Sequence, residues 1–254
     1  PLNKTESGIS IYKQPVAGKS YILVADTSRG KGLDYSAFAV LDISVIPYTL
    51  VATYKDNNIS PLVYPSIIKR MATYYNGAYV LVEINDNGQQ VVDSLFEDYE
   101  YENILSTVEL KSRMTLTWGY GQKSNRGIRT TKSVKRLGCS VLKNLIESQQ
   151  IVIQDFETIS ELSTFTARGT SFEAEEGSHD DLVMCLVLFS WCTSQNFFSE
   201  ISDTNIKQRL HEEQMRQIED EMLPLPITMT EHSNSFVQDG AVWNVVDDKK
   251  WGTF

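Results

Sequence analysis

The sequence predicts an α/β fold: a mixed sheet of three antiparallel strands followed by helix-linked strands, with helices on both faces and an inserted basic hairpin. Two patterns predict it. Three strand-like runs, Tyr21–Asp26, Ser36–Ile43 and Tyr48–Lys55, follow one another too closely for crossover helices, so they pair as antiparallel neighbours. After them, helical periodicity alternates with short apolar runs, an order that lays helices over both faces of a sheet.

Each element has its own warrant. Residues 1–19 are polar and read as an irregular linker from a preceding domain, in keeping with a chain that begins at Pro1. Tyr21 to Ala25 is continuously apolar, the pattern of a strand buried on both faces, and it ends in Asp26. Leu62, Ile67, Ile68 and Met71 give Pro61–Tyr75 a helical stripe. Ala78–Ile84 is a further buried strand and carries Glu83 near its end. A helix over Gln89–Tyr99, a strand over Ile104–Val108, a hairpin turn at Trp118–Gly121 and a helix over Ser133–Glu147 follow. Ile151–Ile153 is then a strand and Thr158–Phe165 a short helix. Asp180–Trp191 is helical and apolar nearly all round, so it must be buried. Residues 20–197 form the expected domain. Residues 198–254 read as an acidic extension with one polar helix near Ile206–Met222.

Composition narrows the chemistry. No apolar run is long enough to span a bilayer. The three cysteines, Cys139, Cys185 and Cys192, lack metal-ligand spacing and fit a reducing cytoplasm. The net charge of −10 argues against a nucleic-acid partner until its distribution is considered. Lys111, Arg113, Lys123, Arg126, Arg129, Lys132, Lys135 and Arg136 fall in one stretch without an Asp or Glu, leaving 15 basic against 33 acidic residues elsewhere. A single-sign run of that length, with Trp118 and Tyr120 inside it, points to contact with a phosphate backbone.

Acids stand at three places where a packed core does not favour them: Asp26 and Glu83 at strand ends, and the pair Asp180-Asp181 at the start of the buried helix. No Lys or Arg lies inside these runs to serve as a partner. Buried carboxylates are costly unless paired or bound to metal, and a cluster of hard oxygen donors suits Mg²⁺ or Mn²⁺. Two such ions can assist phosphodiester hydrolysis. Each acid has a plain alternative. Asp26 could cap its turn, and Glu83 could face solvent. Ser178 and Asp181 have the form of a capping box, with Ser178 as N-cap. Asp180 and Asp181 point about 100° apart on a helix, and Asp181 shares a face with Cys185, Leu188 and Cys192, which favours Asp181 as ligand. Asp34, Asp180 and His179 are auxiliary candidates. Gly30-Lys31-Gly32 lacks the spacing of a Walker A loop.

The stretches around Asp26 and Asp34 (Val24–Ala37), around Glu83 (Val82–Gly88) and around Asp181 (Glu175–Met184), with Gly138–Ile146, resemble the nuclease domain of the large terminase of T-even-like bacteriophages. The resemblance covers roughly residues 20–197. It implies a ribonuclease H-like fold, with Asp26, Glu83 and Asp181 as catalytic and metal-binding acids and Mg²⁺ or Mn²⁺, two ions, as cofactor. It implies cutting of concatemeric double-stranded viral DNA in the host bacterial cytoplasm. The expected partners are the terminase ATPase domain, the portal and the small terminase subunit, with no membrane. A Holliday-junction resolvase, a transposase-like core and a non-catalytic DNA- or portal-docking module remain the alternatives.

Overall fold

The computed structural model describes residues 1–4, 8–27, 35–110, 113–117, 124–169 and 171–201, and the backbone of strands 235–238 and 241–244. Asp34, Lys111, Lys123, the Trp118–Gly121 turn and the helix expected near Ile206–Met222 lie outside the described residues.

The main sheet uses β1 (Asn3–Lys4), β2 (Ile9–Ile11), β3 (Tyr21–Asp26), β4 (Ser36–Asp42), β5 (Tyr48–Asp56) and β6 (Tyr79–Val82), in the order β1-β2-β5-β4-β3-β6. β3, β4 and β5 are antiparallel neighbours, as expected. β6 joins β3 in parallel after the crossover helix α1 (Tyr64–Tyr74). The N-terminal segment is not irregular throughout: Ile9, Ser10 and Ile11 are buried and pair with β5. Two isoleucines over three residues are too few to show a strand period, but they suffice to cover a sheet edge.

Helices pack on both faces. α1 and α2 (Gly88–Glu97) cover the face of Tyr21, Leu23, Ala25 and Phe38. α3 (Lys132–Glu147) and α5 (Asp181–Thr193) cover the face of Ile22, Val24, Ala37 and Ala39. This explains why β3 carries no polar alternation until Asp26. α5 is buried from Asp181 to Cys192 because it lies between the sheet and α3. At its crossing with α3, a Cβ on Gly138 would sit 2.4 Å from the Val187 carbonyl, so the close approach requires glycine.

Between α2 and α3 the chain forms a second sheet, β8-β7-β9, from β7 (Ser106–Leu110), β8 (Arg113–Thr117) and β9 (Ser124–Arg126). It is joined to the main sheet at two points: Ile104 bridges Val80, and Ile128 bridges Glu83. β10 (Ile151–Val152) pairs with β5 in parallel, and α4 (Phe156–Thr164) precedes a hairpin of β11 (Phe165–Arg168) and β12 (Ser171–Ala174) that had no counterpart in the expected elements. Contacts divide the chain into two compact units, residues 1–209 and 210–254. The second contains an antiparallel hairpin, β13 (Ser235–Gln238) and β14 (Ala241–Asn244). Among the described residues no helix is long and apolar enough to cross a membrane.

Candidate metal centre

Strand pairing aligns the site in one row across the sheet. Asp26 lies opposite Ala37, and Ala37 lies opposite Lys55. On the other side of β3, Ala25 pairs with Val82, and the Glu83 amide donates to the Ala25 carbonyl at 2.9 Å. Side chains alternate between faces along a strand, so Asp26, continuing from Ile22 and Val24, points toward α5. Glu83, continuing from Tyr79 and Leu81, points the same way. α5 lies on this face with its first turn at the same end of the sheet: the Cys185 thiol donates to the Ala37 carbonyl, and Asp181 stands one turn earlier.

The main-chain setting of Glu83 is tight. A Cβ on Gly88 would fall 1.8 Å from the Glu83 carbonyl oxygen, so α2 can begin here only with glycine. The Thr27 hydroxyl donates to the same carbonyl. Asn85 donates to Glu83 Oε1 at 2.9 Å and also reaches the Thr130 carbonyl, tying the acid to the segment that leads into α3.

Desolvation at the strand end raises the Asp26 pKa well above its ordinary value, and the adjacent Glu83 raises it further by charge and by a shared hydrogen bond. The Asp181 carboxylate also contributes to the rise. Asp181 itself is buried, and desolvation pushes its pKa up to about 6. Lys55 opposes that rise, with Nζ 3.6 Å from Oδ2, and the Tyr35 amide donates to Oδ1 at 3.3 Å.

The three apolar runs hold no Lys or Arg of their own, but a cation partner reaches Asp181 from outside them. Lys55 comes from β5, two strands from Asp26, and its side chain is 9% exposed. It contacts Glu161 at 2.5 Å and Glu157 at 3.4 Å, and lies over the Tyr35 ring. The capping of α5 also differs from expectation. Asp180, not Ser178, is the N-cap, and it makes no side-chain cap. The free amides of Leu182 and Val183 are satisfied by Glu161 from α4, at 2.8 and 3.1 Å. Lys55, Glu161, Tyr35 and Asn85 were not among the residues expected at the site. In the sequence they read as ordinary polar residues.

The donor set fits a hard divalent cation in kind. Asp26 and Glu83 are adjacent carboxylates, and Asp181 Oδ2 is buried without a hydrogen bond among the described residues. As arranged, Asp26 and Glu83 bond to each other while Asp181 faces Lys55. Among the described residues no three His, Cys, Asp or Glu side chains are gathered closely enough to hold an ion.

Two auxiliary candidates flank the acids. Asp180 pairs with Lys135 at 3.7 Å. His179 is half exposed, edge-on to Tyr35, with Nδ1 3.9 Å from Asp181 Oδ2. The described basic residues fall on connected elements: Arg113 on β8, Arg126 on β9, Arg129 between β9 and α3, and Lys132, Lys135 and Arg136 in the first turns of α3. Arg126 stacks on Phe96, with the guanidinium 3.5 Å from the ring centroid. Arg113 and Arg136 line a cavity of about 600 Å³ with Ser133, Ser140 and Trp191.

A mixed sheet with the order β5-β4-β3-β6, helices on both faces and acids at the ends of β3 and β6 and the start of α5 defines a protein of the ribonuclease H-like class. The family model for the terminase RNaseH-like domain matches residues 23–194, and the chain belongs to that family. Its fold is similar to the large terminase nuclease of thermophilic phage G20c with bound magnesium, at 20% identity and a TM-score of 0.57, covering 74% of this chain and 88% of that one. The cobalt-bound structure of the same nuclease aligns with a TM-score of 0.56 at 20% identity over 74% and 88% of the two chains. The large terminase nuclease domain of Thermus phage P74-26 aligns with a TM-score of 0.51 at 20% identity over 71% and 83%.

Proposed function

We propose that this chain is a Mg²⁺- or Mn²⁺-dependent endodeoxyribonuclease that cuts concatemeric viral DNA during genome packaging. The observation that carries the reading is the placement of Asp26, Glu83 and Asp181 on one face at one end of the sheet, with Asp26 and Glu83 joined side chain to side chain. Family membership and the magnesium-bound relative support it. In this reading the nuclease domain expected at residues 20–197 also takes in β1 and β2, which join its sheet, and Phe198 and Ile201, which pack in its core, and the residues beyond form an extension. The ATPase domain, portal and small terminase subunit are the partners, and the host bacterial cytoplasm is the place of work.

Asp26, Glu83 and Asp181 would hold the metal, most simply as two ions, with Asp34 in an auxiliary role. Bound there, the metal supplies Lewis-acid stabilisation of the phosphodiester and a more acidic attacking water. The chain's own residues do the rest. Asn85 and Gly88 hold Glu83 in place. Tyr35 and Glu161 fix the first turn of α5 around Asp181. Arg113, Arg126, Arg129, Lys132 and Arg136 hold duplex phosphates without reading bases. His179, half exposed beside Asp181, would contact a phosphate oxygen or relay a proton.

The test is cleavage of supercoiled plasmid with Mg²⁺ or Mn²⁺, beside EDTA, Asp26→Asn and Asp181→Asn. Cutting by the wild type alone, with folded variants, supports the reading. Equal cutting by the variants overturns the carboxylate centre. Preference for a four-way junction over linear duplex would move the substrate to that of a resolvase.

A further inference from the structure

Glu161 is buried and has a separate task for each oxygen. Oε1 accepts from Lys55 Nζ at 2.5 Å. Oε2 accepts from the Leu182 and Val183 amides, the two that follow Asp181 in the first turn of α5. Lys55 Nζ meanwhile stops 3.6 Å from Asp181 Oδ2, beyond hydrogen-bond reach. That oxygen is buried and makes no hydrogen bond among the described residues, and His179 Nδ1, at 3.9 Å, is also too far to supply one.

An ammonium group so near a buried carboxylate ought to close the gap, because attraction in a poorly polarisable interior is strong at short range. Here it does not, because a second carboxylate holds it. The same carboxylate binds the helix that carries Asp181, so ammonium and acid are fixed relative to one another through one side chain. We propose that Glu161 is a positioning residue for the carboxylate centre: by tethering Lys55 with one oxygen and capping α5 with the other, it keeps the ammonium off Asp181 Oδ2 and leaves that oxygen to a divalent cation. The proposal rests on the metal-centre reading above. It assigns no ligand role to Glu161, whose oxygens are already engaged by three donors.

The consequence is non-additive. Glu161→Gln keeps an acceptor for the α5 amides but removes the nearer and more buried of the two charges that hold Lys55, leaving the exposed Glu157 at 3.4 Å. The released ammonium then closes on Asp181 and competes with the metal. Removing Lys55 as well removes the competitor. The measurement is Mn²⁺ binding by paramagnetic resonance titration of the full chain, with melting curves for each variant. Glu161→Gln is expected to weaken Mn²⁺ binding about tenfold, the effect of roughly one charged hydrogen bond gained by the competitor. The double variant Glu161→Gln with Lys55→Met should bind at least as tightly as wild type.

Wild-type affinity in a folded Glu161→Gln protein overturns the proposal. So does a double variant as weak as Glu161→Gln, which would trace the loss to the cap alone. If Glu161→Gln does not fold, Lys55→Met decides: a tethered, non-ligating lysine can be lost without weakening Mn²⁺ binding, and weaker binding overturns the proposal. Asp181→Asn separates this inference from the metal-centre reading. If it binds Mn²⁺ like wild type, the metal centre itself is misassigned and the inference falls with it. If it loses binding while Glu161→Gln does not, only the role of Glu161 fails.

Discussion

Lys55 and Asp26 lie in the same row of the sheet, on the same face, separated by a single strand whose residue in that row is Ala37. The intervening strand puts only a methyl group in that row between the acid and the ammonium, and α5 packs over the same face. Ala37→Leu would fill that space. Overpacking of this kind costs about 1–3 kcal/mol, and cleavage should fall sharply because Asp181 loses its place. Ala37→Gly costs roughly 0.5–1 kcal/mol as a strand glycine but keeps the space, so it should cut nearly as well as wild type. Urea unfolding and the plasmid assay together check both.

Gly88 gives a second steric test. An Ala at this position cannot coexist with the Glu83 carbonyl 1.8 Å from its Cβ. Gly88→Ala should therefore displace Glu83 or the start of α2. The expected result is a lowered melting temperature and loss of most cleavage. Unchanged cleavage would mean that the position of Glu83 does not matter.

Burial of Asp181 has a pH signature in metal-free protein. Its pKa rises on folding from the ordinary 3.8 to about 6, so between those values the folded state binds more protons than the unfolded one. The contribution to stability is fully present below about pH 4 and is lost as pH rises through about 6. Asp181→Asn cannot lose it. The variant should thus melt above wild type at pH 8, by an amount on the order of 3 kcal/mol, and the gap should close by pH 4. Mg²⁺ at pH 8 should narrow the gap by stabilising wild type alone. A gap independent of pH would contradict the burial argument.

The basic residues should differ in what they give to DNA affinity. Each phosphate contact contributes about 0.9 to the slope of log affinity against log salt. Arg129→Ala and Lys132→Ala, at exposed positions, should each lower the slope by about one contact. Lys135 already faces Asp180 and the Phe165 ring, so Lys135→Ala should change it less. Fluorescence anisotropy at several salt concentrations measures the slopes.

The strands that carry Asp26 and Glu83 were legible because each is buried on both faces and ends in an acid, a pattern that needs no partner to be seen. α5 was legible because it is apolar on every side. The circle around Asp181 was not. Lys55 and Glu161 are 106 positions apart and meet only because β5 and α4 close on the same end of α5. Before folding, nothing distinguishes them from surface charges. The capping box at Ser178 failed for the same reason, since a carboxylate from another helix reached the free amides first. β2 was missed because three residues are too short to declare a period.

The joint between the two sheets has a mechanical consequence. The Ile128 amide donates to the Val82 carbonyl and the Ile84 amide to the Ile128 carbonyl, both at 2.8 Å. These bonds straddle Glu83. A force applied to the three-stranded arm, by a moving duplex or by a neighbouring subunit, therefore has no slack loop in which to dissipate before it reaches that acid. Tension on the arm would be felt first as a displacement of Glu83.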